Sequence, residues 1–224
     1  MISSDPGSEV GSTIADTVDG RFLDFAGERS FVIRNVERME PFFMSVVSAY
    51  DHWLFASSSG GLTAGRVAPE TALFPYTTVD KLHDIANSAG PRTFLRVGQG
   101  SNAAHREPFN LEQKGFFATS CNLYKNTLGN KLCYEEVNHD LDLVFRYTWS
   151  TSAEFGFVRH SELENRGDAM RHIEVVDGVQ NILPAGTPIF TQTNSSNLVD
   201  AYKWTELDES TGLAFLTLYS GISD

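Results

Sequence analysis

From residue 30 onward, short apolar runs alternate with Gly, Pro and Asn clusters, which is the punctuation of an all-β domain. The clearest run covers 141–149. Leu141, Leu143, Phe145, Tyr147 and Trp149 fall on one face at the two-residue strand period. Asp142, Arg146 and Thr148 fall on the other. Residues 155–159 form a shorter strand pattern, and Arg166-Gly167-Asp168 marks a turn that releases another strand over 170–176. Residues 214–219 alternate again, with Phe215 and Tyr219 set apart from Leu216 and Leu218. The segment 122–136 reads as a hairpin, because Leu128-Gly129-Asn130 supplies a residue that tolerates positive φ. Strands with one apolar face bury it by packing sheet on sheet. The expected fold is therefore all-β, a large antiparallel two-sheet β-sandwich with one or two short helices.

The helical exception is 77–89. Thr77 to Asp80 has capping-box spacing, Val79, Leu82 and Ala86 share a stripe with Ile85 at its edge, and Gly90-Pro91 is a stop signal. The pattern predicts about three turns sealing a sheet face or edge. By contrast, residues 1–20 are rich in Ser, Gly, Asp and Thr without periodicity. Residues 1–29 are expected to be a flexible N-terminal arm, and 30–224 the sandwich. The chain stops at Ser220-Gly221-Ile222-Ser223-Asp224, almost directly after a patterned strand, as expected of a domain cut from a longer protein.

Composition narrows the function classes. With 41% apolar and 12% aromatic residues, 224 residues can bury a substantial core. Seventeen Lys+Arg against 29 Asp+Glu give a formal charge of −12, which disfavours nucleic-acid and anionic-membrane partners. No window approaches the roughly 20 apolar residues of a membrane helix. Residues 1–19 hold four acids, no Lys or Arg and no apolar stretch, so no secretory signal is read there and a cytoplasmic location is expected. Cys121 and Cys133 are no disulfide framework, although they flank the turn at 128–130 and a cross-strand bridge is geometrically conceivable. Asn194-Ser195-Ser196 matches a glycosylation triplet, read as accidental without a leader.

Chemistry-bearing patterns are sparse. His52, His83, His105, His139, His160 and His172 stand singly, outside metal-ligand spacings. No Gly-x-Ser-x-Gly elbow occurs, and neither cysteine lies in a reactive context. The segment 57–66, Ser-Ser-Ser-Gly-Gly-Leu-Thr-Ala-Gly-Arg, lacks the Gly-Lys-Ser/Thr ending of a phosphate loop. It reads as a Gly-rich hairpin tip carrying Arg66, either a plain tight turn or a loop where Arg66 donates to hydroxyl or phosphate oxygens. The acid pairs Glu135-Glu136, Asp140/Asp142 and Asp208-Glu209 are poor glycosidase candidates, because strand neighbours point to opposite faces. Among Trp53, Phe74, Tyr76, Tyr124, Trp149 and Trp204 most read as core. Trp53 and Tyr76 bracket the Gly-rich turn and could stack on sugar rings.

Several phrases in this chain carry a family resemblance. Residues 53–66 (Trp53 to Arg66), 72–81 (Ala72-Leu73-Phe74-Pro75-Tyr76-Thr77-Thr78-Val79-Asp80-Lys81), 122–126 with Gly129-Asn130-Lys131, 155–159, 163–165 and 176–184 together resemble the opening segment of cellobiose-phosphorylase-like proteins. The resemblance spans roughly 30–224. It implies a galactose-mutarotase-like supersandwich that in such enzymes precedes a helical linker and a catalytic α/α barrel. The family's catalytic acid sits in that barrel, so no position here receives it. The resemblance also implies that sandwich loops border the active site or mediate dimerisation. Arg66, Trp53, Tyr76, Asp80 and Lys81 are then the candidate substrate-binding residues, with no catalytic residue, metal ligand or cofactor assigned.

Three functions compete on this reading. The first is a non-catalytic sandwich domain of a carbohydrate-active enzyme (a glycoside phosphorylase or hydrolase), with carbohydrate and the α/α barrel of the same chain as partners and a homodimer allowed. The second is a free-standing carbohydrate-binding module. The third is a structural or oligomerisation sandwich without a small ligand.

Overall fold

A computed structural model describes residues 17–184 and 187–218. The chain runs through β1 (Asp19–Phe25), β2 (Glu28–Arg34), β3 (Phe43–Val46), β4 (His52–Ser57), β5 (Leu62–Arg66), α1 (Val79–Leu82), β6 (Gly90–Val97) and β7 (Ala104–Arg106). It continues through β8 (Thr119–Asn126), β9 (Lys131–Asn138), β10 (Leu143–Ser152), β11 (Gly156–Asn165), β12 (Ile173–Gln180), α2 (Ile189–Asn194), α3 (Ser196–Ala201), β13 (Lys203–Asp208) and β14 (Leu213–Leu218). The all-β sandwich expectation holds. A six-stranded antiparallel sheet in the order β1-β2-β8-β9-β10-β11 forms one layer. The second layer is divided between the sheets β3-β4-β5 and β12-β6-β7, and β13-β14 stands as a separate hairpin.

One face of β10 organises both halves. Phe145, Tyr147 and Trp149 pack with Leu123, Leu132 and Tyr134 of the large sheet against Met44, Val46, Leu54, Ala56, Leu62 and Ala64 of β3-β4-β5. Two residues earlier on the same face, Leu143 joins Leu141, Leu95 and Val97 in a second cluster beneath β6. The alternation read over 141–149 thus selects the buried face correctly. Asp142, however, precedes the strand at φ 49° and accepts the Arg166 amide at 2.7 Å.

Three boundaries differ from expectation. The span 1–29 is no uniform arm: residues 1–16 lie outside the described residues, but Asp19–Phe25 is the edge strand of the large sheet. Its alternation is masked because the strand is mostly exposed, so backbone pairing with β2 holds it. The two-residue turn Ala26-Gly27 has positive φ at both positions (49° and 78°), matching hairpin twist. Met170 is fully exposed and the strand begins only at Ile173.

The three-turn helix over 77–89 is a single α-turn followed by a 3-10 turn over 83–85. No side-chain cap bond forms at Thr78, and the Thr77 hydroxyl turns back to the Pro75 carbonyl. Leu82 alone of the proposed stripe is fully buried, while Val79 is half exposed. Tertiary anchoring at one point, with few helix-period contacts, leaves nothing to propagate further turns. Tyr219 and the end of the chain from Ser220 to Asp224 lie outside the described residues.

Cys121 and Cys133 sit on opposite faces of the large sheet. Tyr134 faces the core and Cys133 follows the other parity, whereas Cys121 packs at the core edge. Both are free thiols, and the conceivable bridge is not formed. Burial pushes the Cys133 thiol up to about 11, which keeps it protonated and unreactive at neutral pH. Among the described residues, no helix is long and apolar enough to cross a membrane.

Candidate functional site

The Gly-rich segment is a hairpin, β4 to β5, whose tip is 58–61. The Ser57 amide donates to the Gly61 carbonyl at 2.7 Å, and the Gly60 amide donates to the Ser57 carbonyl at 2.9 Å. Gly60 takes φ 97°, a conformation that favours glycine. Gly61 is required for a different reason. A Cβ there would lie 2.1 Å from the Leu82 carbonyl oxygen, so only glycine lets the α1 segment sit on the tip. A polar lock completes that contact. Ser57 Oγ lies 2.7 Å from both Ser59 Oγ and His83 Nδ1, and Ser59 Oγ donates to the His83 carbonyl at 3.2 Å. A Ser-His contact invites comparison with a nucleophile and its base. Here Ser57 is fully buried and its oxygen also accepts the Ser59 amide, so its work is to fasten two segments 26 residues apart.

The five sequence-predicted binding residues do not converge. Arg66 is not at the tip: it ends β5, opposite His52, about 13 Å along an extended strand from Leu62. Its Nη2 donates to both Asp51 carboxylate oxygens at 3.1 Å in a largely exposed pair. Such pairs contribute little. Arg66→Ala is expected to leave the thermal midpoint unchanged, and a clear loss would show that Arg66 holds the strand end. Trp53 and Tyr76 do meet, edge to face, with ring centroids 6.3 Å apart. Trp53 lies over Gly65, where a Cβ would come 2.5 Å from Trp53 Cζ2, so its ring is a lid on the sheet and Tyr76 the exposed partner. Asp80 and Lys81 are exposed on α1, and the Thr78 side-chain hydrogen bond holds the Asp80 carboxyl below its ordinary range. No hydrogen bond or ion pair joins them to Trp53, Tyr76 or Arg66 among the described residues.

A different set of side chains does converge, at a small open cleft between the hairpin tip, the start of β6 and the 107–110 loop. Glu107 Oε1 is 2.6 Å from Arg92 Nε, and its Oε2 accepts Asn110 Nδ2 at 2.8 Å. Arg92 Nη1 donates to the Asn87 carbonyl at 2.9 Å. On the neighbouring wall, Thr93 donates to Asp177 Oδ1 at 2.5 Å, and Arg159 holds the same carboxylate with two bonds of 2.8 Å. Burial would raise the Asp177 carboxyl, but the hydrogen bonds from Arg159 and Thr93 outweigh it and keep it below the usual carboxylate range. The Tyr147 ring forms the floor, stacked on Tyr134 at 4.8 Å and under the Arg159 guanidinium at 5.1 Å.

Behind the cleft lies a buried ion pair. Arg106 Nε and Nη2 reach Glu136 Oε1 and Oε2 at 2.8 and 2.5 Å, and the Phe109 amide donates to Oε2 at 2.7 Å. Glu136 opposes Phe145 and so points into the sandwich, whereas Glu135 opposes Arg146 and faces the other way, bonded to Asn122, Tyr124 and Arg146. The strand-parity argument against a joint catalytic role for this pair is borne out. Every carboxylate around the cleft is engaged by arginine, an arrangement suited to orienting a polar ligand and ill suited to supplying a free acid. No group of three or more His, Cys, Asp or Glu is arranged to hold a metal among the described residues.

Sequence reading missed Arg92, Thr93, Glu107, Asn110, Arg159 and Asp177, because the ion pairs Arg92–Glu107 and Arg159–Asp177 and the Thr93–Asp177 bond join residues 15 or more positions apart, and Asn110 joins the set through its bond to Glu107. One local signal was present: Thr93 occupies the inward parity of Leu95 and Val97, so a polar residue continues an apolar face. Tyr147 was assigned to the core, and its ring is there. Neither a protein-family model nor a curated protein matches this chain.

Proposed function

We propose that the chain is the non-catalytic β-sandwich module of a cytoplasmic carbohydrate-active enzyme of the glycoside phosphorylase or hydrolase kind, which supports an active site carried by a helical barrel of the same parent protein. One observation carries the reading. Four separate segments on which the resemblance to cellobiose-phosphorylase-like proteins rests lie against one another. Residues 72–81 meet 53–66 at the Gly65–Ala72 bridge, and the Thr63 hydroxyl donates to the Pro75 carbonyl. Residues 176–184 join them where the Leu183 amide donates to the Leu73 carbonyl at 2.7 Å. Residues 155–159 reach the same group through Arg159 and Asp177, and through Phe157, which packs against the core cluster that contains Leu54, Leu62 and Ala64. These contacts bring the four segments together across the sandwich, with 156–159 in β11 of the large sheet and 53–57, 62–66 and 176–180 in strands of the second layer.

In this reading the rigid large sheet is scaffold and the clustered loops form the working surface. Carbohydrate and the barrel are the partners. The coding sequence downstream of codon 224 tests the proposal: the frame is expected to continue into paired helices of a barrel. A stop codon at that point would overturn it.

A further inference from the structure

We propose that the open edge of β12 pairs with the same edge of a second copy of this chain, antiparallel and in one register centred on Val176. The inference rests on the sheet edge alone and is independent of the carbohydrate reading above.

β12 ends the sheet β12-β6-β7, and among the described residues no strand lies beyond it. Five consecutive residues, Glu174 to Gly178, are exposed. The unpaired N–H and C=O groups of such an edge are a template for another strand unless charges, Pro or a bulge guard them. Both end strands of the large sheet are guarded by charge. β1 carries Asp19, Arg21 and Asp24, and β11 carries Arg159, Glu162 and Glu164. β12 has no Lys, Arg or Pro, and its two acids are neutralised within the same copy. Arg96 holds Glu174 at 3.0 Å, and Arg159 holds Asp177 at 2.8 Å. A chain of formal charge −12 thus presents one nearly neutral edge.

Register identifies the second copy as the occupant. A two-fold axis normal to the sheet leaves each face in place, so residues pair only with residues of the same parity. Phe94 lies opposite Val176 on the outer face, because Thr93, Leu95 and Val97 are the buried parity of β6. An axis at Val176 sets this pair beside the same pair of the second copy. Val176 is 70% and Phe94 48% exposed, so the contact covers apolar surface that one copy leaves in water. In the flanking rows Glu174 falls opposite Gly178 of the second copy, where an added Cβ meets nothing within 4 Å. The Glu174–Arg96 pair therefore finds room, and Arg92, the β6 neighbour of Gly178, brings a second positive charge to that row. On the inner face Ile173 falls opposite Val179. Val175 falls opposite Asp177, whose carboxylate is drawn back by Arg159 and Thr93. The competing registers are worse. An axis at Glu174 or Asp177 sets like charges directly opposite, which is destabilising, and an axis at Val175 lays Glu174 against Val176.

The test is sedimentation equilibrium of the purified chain, which is expected to show monomer and dimer in exchange. Val176→Lys puts two ammonium groups across the axis at an exposed position. It should raise the dimer dissociation constant about fivefold or more and leave the thermal midpoint of the monomer unchanged. A second readout fixes the register. Val176→Cys should be joined to its own counterpart by a short thiol-reactive linker, whereas Gly178→Cys should not, its counterpart lying about 13 Å along the strand. The unaltered chain, with Cys133 buried and Cys121 half-buried, supplies the background. A monomer at every concentration overturns the proposal. A dimer that Val176→Lys leaves intact places the interface elsewhere and also overturns it, and linking at Gly178→Cys without linking at Val176→Cys overturns the register.

Discussion

Arg106→Met is expected to destabilise the protein by about 3–5 kcal/mol, the cost of leaving a buried charge uncompensated. Arg106 and Glu136 are exposed by only 4% and 3% of their side-chain surface. Glu136 points from β9 into the sandwich near the junction of the two apolar clusters, where no solvent can replace the guanidinium. The carboxylate would be left unpaired in the apolar interior. Removing both charges in Arg106→Met/Glu136→Leu should recover much of the loss, because apolar residues of similar volume often replace buried ion pairs at little cost. Recovery should be incomplete, since the Phe109 amide then loses its acceptor, worth about 1–3 kcal/mol for a buried unsatisfied group. Urea denaturation of the three variants measures this. A single-variant loss below about 1 kcal/mol would show that water reaches the pair and that it does not order the 107–110 loop.

Gly61→Ala is expected to destabilise by about 3 kcal/mol, the upper end of what overpacking costs. The clash is with backbone, the Leu82 carbonyl at 2.1 Å, with the Ile85 side chain and Ala86 amide next at 3.2 and 3.3 Å. No rotamer change relieves it, so the 79–87 segment must lift. That withdraws fully buried Leu82 and breaks the Ser57–His83 contact. Gly178→Ala is the control, because an added Cβ there meets nothing within 4 Å and no positive φ is required. It should be neutral. Proteolysis at 77–89 should accelerate in Gly61→Ala alone. Equal stability of the two variants would show that the α1 segment is not seated on the hairpin tip.

How much of this was readable in advance differs from feature to feature. The β10 pattern named its inward residues correctly because burial of a strand face leaves a two-residue period in the chain itself. The turn at 128–130 was readable for a similar local reason: Gly129 at φ 74° is a backbone requirement expressed by one residue type. The α1 segment misled because an apolar stripe of three positions resembles an amphipathic helix, whereas only Leu82 is anchored. Arg66 misled through adjacency. Proximity in sequence to the glycines suggested a shared tip, but β5 carries Arg66 to the far end of the strand.

The order of apolar and polar positions was sufficient for the all-β class and for which β10 residues face the core, since both follow from partitioning side chains between water and interior one neighbour at a time. Tertiary structure alone decided that Glu136 is an interior charge matched by Arg106, that Arg92 and Glu107 and then Arg159 and Asp177 neutralise one another, and that the end of Tyr147 opens on a cleft. The three ion pairs join residues at least 15 positions apart, and the free energy of such a pair depends on distance and dielectric that exist only once the sheets have closed.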